Sequence, residues 1–234
     1  MSKMKATTAL AIAALGMSLT GTAQAALILA GPENFGGSGL GAVNTILTIN
    51  SPNNTTTESG AVSFNGTADV ITGDAMTGGS QTQTRTISSL GVTSASNLRV
   101  VFNAVEPGNA SSITLTNLVL SIFSPTGTTL FSSGAFAPIA FANTFAGTGN
   151  SGFVFRLDAA DTIAAQATGF GNGANRIGLL GSASNATGGF ETFFAAASVT
   201  TVPVPEPGTM AIFGAALLGL WGARRKGRGK SRLA

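Results

Sequence analysis

Ile113-Thr114-Leu115-Thr116-Asn117-Leu118-Val119-Leu120-Ser121-Ile122-Phe123, followed by Ser124-Pro125-Thr126-Gly127 and Thr128-Thr129-Leu130-Phe131, is the stretch whose reading decides the fold. Residues 113–116 alternate apolar and polar, the period of a strand with one buried face. Leu118 to Phe123 continues as a strand with Leu118, Leu120 and Ile122 on one side. Ser124-Pro125-Thr126-Gly127 reads as a turn, because proline's fixed φ suits its second position and glycine follows. Residues 128–131 then return, which makes a hairpin.

The same signals recur on both sides. Val43 to Ile49, Leu98 to Ala104, Phe153 to Leu157, Arg176 to Leu180 and Glu191 to Val199 read as further strands, separated by Gly- and Asn-rich turns. One helix interrupts them, over Asp158 to Thr168. Asp158 is a good N-cap, Asp161 stands three residues on as a capping-box variant, and Gly169 sits where a left-handed C-cap would go. The expected fold is all-β, a β-sandwich or jelly-roll-like body with one short helix.

The body between the two ends, residues 26–201, has one domain's length. It carries four basic residues (Arg85, Arg99, Arg156, Arg176) against eight acidic ones, a formal charge of −4. The high pI of the whole chain comes from its ends, and a mildly acidic body argues against nucleic-acid binding. Charged residues make up only 9% of the chain, but 44% is hydrophobic, which separates it from disordered sequences.

Residues 1–25 have the three parts of a secretory signal peptide. Lys3 and Lys5 give a positive start, Thr8 to Leu19 is apolar, and Ala23 and Ala25 are small residues at the positions that signal peptidase reads. The expected mature N-terminus is Ala26. Residues 202–234 form a second address label. Pro205-Glu206-Pro207 precedes an uncharged apolar run over about 208–223, and Arg224-Arg225-Lys226 opens a basic tail over 224–234. As a helix the apolar run would be about 24 Å long, short of a ~30 Å hydrocarbon core. Trp221 and snorkelling arginines make up the difference. The positive end stays inside, so the body faces outward from the inner membrane.

This layout, with Pro205, Glu206, Pro207, Arg224 and Arg225 as its marks, resembles the PEP-CTERM sorting signal of Gram-negative bacteria. The resemblance covers about thirty residues and implies recognition by an exosortase, a membrane-embedded processing enzyme. It also implies a setting of exopolysaccharide and biofilm. On that basis the chain is expected to be anchored transiently and to end at the cell surface or in the extracellular matrix.

The chemistry open to the body is narrow. Residues 26–202 contain no His, Cys, Lys, Tyr or Trp. That removes the commonest general base, thiol and amine nucleophiles, and the usual zinc ligands. No metal or cofactor is expected. Asp69 and Asp74, with Asn65 nearby, are loop oxygens that read as solvated rather than as a Ca²⁺ site. Thr82, Thr84 and Thr86 alternate along a strand and read as its polar solvent face. The expected function is a non-catalytic structural or binding module; the alternative is a carboxylate-dependent secreted glycan hydrolase, which needs only two acids.

Overall fold

The computed structural model describes residues 26–31, 43–52, 55–104, 112–141, 152–187 and 189–198. These form twelve strands and one α-helix: β1 Leu27–Leu29, β2 Asn44–Ile49, β3 Thr57–Phe64, β4 Asp69–Gly73, β5 Arg85–Thr86, β6 Leu98–Asn103, β7 Ile113–Phe123, β8 Thr129–Ser132, β9 Ile139–Phe141, β10 Phe153–Leu157, α1 Ala159–Thr168, β11 Arg176–Ser184 and β12 Glu191–Ala197. One sheet has the order β1-β10-β6-β12-β2; the other runs β4-β3-β11-β7-β8, with β5 added on β11 and β9 on β7. All these pairings are antiparallel.

Eight of the strands alternate between layers. β2, β12, β6 and β10 lie in the first sheet, while β3, β11, β7 and β8 lie in the second. Consecutive strands β2 and β3, β6 and β7, and β11 and β12 therefore cross from one sheet to the other, which is the double Greek-key order of a jelly roll. A single apolar core joins the layers, with Val100, Phe102, Phe155 and Phe193 from the first sheet and Leu118, Leu120, Ile122, Ile177 and Leu179 from the second. Phe102 stacks on Phe193 at 4.9 Å between ring centroids and reaches across to Phe141 at 5.9 Å.

The 113–131 hairpin forms as the sequence predicts. Gly127 N–H donates to the Ser124 carbonyl at 3.0 Å, and Gly127 takes the positive φ of 86° that glycine supplies without strain. The two halves of its first strand are one strand, β7, with a bulge. Pairing with β11 steps from Ser182–Asn117 to Ala183–Leu115, leaving Thr116 as the extra residue.

α1 occupies the expected residues. Asp158 caps it, its Oδ1 accepting from Asp161 N–H at 2.8 Å. Two details differ from expectation. Asp161 does not reach back to the Asp158 amide, which donates instead to the Ala26 carbonyl at 3.1 Å; Asp161 turns to Gly134 N–H at 3.3 Å. Gly169 is right-handed, with φ −115°. Its missing side chain serves packing, because a Cβ there would sit 2.6 Å from Ile122 Cδ1.

Four strands escape the sequence reading: β1, β3, β4 and β9. β3 shows why. Its inward positions are Glu58, Gly60 and Val62, so no apolar alternation marks it. Gly60 pairs with Gly181 on one side and Gly73 on the other. This glycine row lets the first sheet approach: a Cβ on Gly60 would lie 2.7 Å from Ile49 Cγ2 and 2.8 Å from Ala75 N, and one on Gly181 would lie 2.8 Å from the Phe193 ring. Gly60→Ala is expected to lower the unfolding free energy of the exported protein by about 1–3 kcal/mol, the usual cost of overpacking, as measured by urea denaturation.

Candidate functional site

The strand alternation that buries Gly60, Val62, Leu179 and Leu120 turns hydroxyl-bearing neighbours to the opposite, outer face of the second sheet. Thr57 and Ser59 on β3, Ser182 and Ser184 on β11, and Thr116 and Asn117 on β7 form a nearly uncharged surface there. Two open depressions lie along it and share Thr116. One, of about 310 Å³, is lined by Ser59, Asp74, Thr116 and Ser182 among others; the second, of about 580 Å³, runs past Asn117, Val119 and Ser132 to Gly134 and Phe136. Together they make a groove that crosses the strands.

Its hydroxyls are held in place by one another and by the backbone. The Ser59 and Ser182 hydroxyls share a hydrogen bond at 2.7 Å. Thr116 Oγ1 donates to the Ser182 carbonyl at 3.0 Å, and Ser121 Oγ donates to Ser132 Oγ at 3.3 Å. The bulge puts Thr116 and Asn117 side by side facing outward, where a regular strand would turn one of them in. Asp74 sits at the end of the groove with Oδ2 accepting from Ser59 N–H at 2.9 Å. The floor is thus an ordered array of hydroxyl and amide groups with carboxylates at one end, the chemistry that pairs with a polyhydroxylated ligand.

The other polar cluster is internal. Thr82 and Thr84 are buried, so they are not the solvent face that their alternation suggested. Thr82 Oγ1 accepts from Thr48 N–H at 3.2 Å, tying the 74–84 loop to β2. Thr84 donates its hydroxyl to Asp69 Oδ1 and accepts from Arg176 Nε at 2.6 Å. Arg176 stands 3.9 Å from Asp69 Oδ1 and lies over the Phe64 ring at 4.6 Å. Arg85 Nε donates to the Thr45 carbonyl at 3.1 Å, covering the outer edge of β2.

The acidic side chains singled out in the sequence hold local structure. Asp69 serves Thr84, Asp74 serves Ser59, and Asn65 Oδ1 accepts from the Thr67 and Ala68 amides at 2.9 and 2.8 Å. Asp158 and Asp161 serve α1 and the loop after β8. Among the described residues no three His, Cys, Asp or Glu gather as metal ligands.

The groove was not foreseen from the sequence. Its signal was there: the outward positions of β3, β7 and β11 carry Ser, Thr and Asn where a soluble sheet usually carries Lys and Glu. Ala23, Ala25, Pro205, Glu206, Pro207, Arg224, Arg225 and the apolar run 208–223 lie outside the described residues. Among the described residues no helix is long and apolar enough to cross a membrane.

Residues 203–226 match the family model of the PEP-CTERM protein-sorting motif. No curated protein and no solved structure matches the chain. The chain therefore carries a PEP-CTERM sorting motif at its C-terminal end, which supports an exported protein that is anchored in the membrane before an exosortase sorts it.

Asp161 gives this framework a pH dependence. Burial pushes its carboxyl above the usual range, the Gly134 amide opposes this, and the Asp158 charge reinforces it. The folded state then holds the Asp161 proton more tightly than the unfolded chain does. Stability from this group is present at low pH and lost as pH rises through the raised value. Relative to Asp161→Asn, which cannot ionise, the wild type should gain stability as pH falls from 7 towards 4, as read by paired denaturation curves.

Proposed function

We propose that the exported body is a non-catalytic glycan-binding module of the cell surface or extracellular matrix, and that exopolysaccharide fills the groove across its second sheet. The supporting observation is the ordered hydroxyl floor around the bulged residue Thr116, shared by both halves of the groove. A polymer rich in hydroxyls meets matched donors and acceptors there, with the Asp74 carboxylate as a further acceptor at one end. With no Trp or Tyr to stack on sugar rings, each contact is weak, and retention comes from many repeats engaging many copies. Asp69, Asp74, Asp158 and Asp161 act as caps and braces, which favours binding over hydrolysis.

Affinity electrophoresis through a gel containing the producing cells' exopolysaccharide tests this reading. The wild type should be retarded. Ser59→Ala combined with Ser182→Ala removes two groove hydroxyls and should weaken binding about tenfold, since each lost hydrogen bond is worth about 0.5–1.5 kcal/mol. Equal mobility with and without polysaccharide would remove the reading.

Delivery runs through both ends. Signal peptidase releases the body after Ala25, the 208–223 run holds it in the inner membrane, and exosortase acts near Pro205-Glu206-Pro207. The prolines keep that segment extended and free of intrahelical hydrogen bonds, as a processing enzyme requires. Glu206 resists burial and fixes it at the interface. Full-length, membrane-bound protein should accumulate with Glu206→Ala, and also with the wild type in cells lacking the exosortase. Equal processing in all cases would make the tail a plain anchor.

A further inference from the structure

β1 enters the first sheet through Ala26, and one residue receives it. Ala26 N–H donates to Asp158 Oδ2 at 3.2 Å, while the Ala26 carbonyl accepts from Asp158 N–H at 3.1 Å. The other carboxylate oxygen, Oδ1, accepts from Asp161 N–H. A single side chain therefore holds the first turn of α1 and the residue just before β1 together, across 132 positions of sequence.

The sequence supplies an independent observation. Ala23-Gln24-Ala25 places the scissile bond directly before Ala26. Hydrolysis there adds water across the Ala25–Ala26 peptide. The hydroxyl goes to the Ala25 carbonyl, which leaves as a carboxylate on the released peptide. The Ala26 nitrogen becomes an ammonium with three donors in place of one. We propose that Ala26 is the mature amino terminus and that its ammonium closes a charged latch on the Asp158 carboxylate, formed only when the signal peptide has been removed.

The surroundings suit the pair. Arg156, on β10 beside β1, is exposed and bonded to the Leu157 carbonyl at 3.5 Å. Asp161 is turned to Gly134. Asp158 is thus the carboxylate in contact with Ala26, and cleavage turns a bond with one charged partner into an ion pair with charge on both. Because β1 is only three residues long and covers the edge of β10, a fastening at Ala26, the residue just before it, decides whether that edge stays closed.

This inference rests on cleavage after Ala25, and the test separates the two. The full-length chain is expressed in a Gram-negative host and the exported protein is recovered; intact mass and N-terminal sequencing give its first residue. Residues 26–225 contain no lysine, so acetylation of the α-amine is read on the N-terminal peptide, apart from Lys226 and Lys230 of the tail, by peptide mass spectrometry as pH is varied. The latch predicts a midpoint about one pH unit above the usual ~7.7–8.0 of an α-amino group. Its stabilisation is then full below that usual range and lost as pH rises through the raised midpoint. Asp158→Asn keeps the cap and should return the midpoint to normal. A first residue other than Ala26 would overturn the cleavage and the latch with it. Ala26 first, with an ordinary midpoint in the wild type, would overturn the latch and leave the cleavage standing, whether or not the variant folds.

Discussion

β7 buries Ile113 and Leu115, then Leu118, Leu120 and Ile122. A regular strand cannot put odd and even positions on the same face, so one extra residue has to be absorbed between Leu115 and Leu118. The bulge at Thr116 absorbs it. Without it, half of the central strand would turn its leucines to water and the core would lose one wall. The same bulge faces Thr116 and Asn117 outward together and so sets the middle of the groove. Packing inside and presentation outside are two consequences of one change in strand parity.

That change is visible in the amino acids, and so are the turn at 124–127, the helix cap at Asp158 and the strands with β-branched or aromatic runs. What the sequence concealed has a common physical cause. Where the sheets come closest, the inward residues must be small, and small residues leave no apolar pattern. β3 turns Gly60 inward and β11 turns Gly181 inward, so β3 is missed and β11 is cut short at Leu180. β1 and β9 are three residues long, too short for any period to register.

The site was harder to read for a different reason. Catalytic or metal centres advertise themselves through a few reactive residue types. A groove built of serines, threonines and an asparagine has no such mark and emerges only when the register brings Ser59 against Ser182 and Thr116 beside both. The Thr82-Thr84 alternation shows the converse. It looked like a surface array, yet those hydroxyls satisfy the edge of β2 and brace Asp69 and Arg176 inside the body. Hydroxyl patterning in sequence does not distinguish the two situations; the partners do.

The two ends of the body are fastened in ways that match what is done to them. β12, from which the chain leads toward the sorting motif, is flanked by β6 on one side and β2 on the other. Just beyond it Ser198 N–H donates to the Asn97 carbonyl at 2.7 Å, and its hydroxyl accepts from Arg99 at 3.0 Å. While the tail is in the membrane, a pull on it runs along a strand zipped on both sides, so many cross-strand hydrogen bonds share the load at once. An edge strand has such bonds on one side only. β1 is such an edge and has only three residues, and the Asp158 carboxylate, accepting from Ala26 N–H just before it, fastens its start.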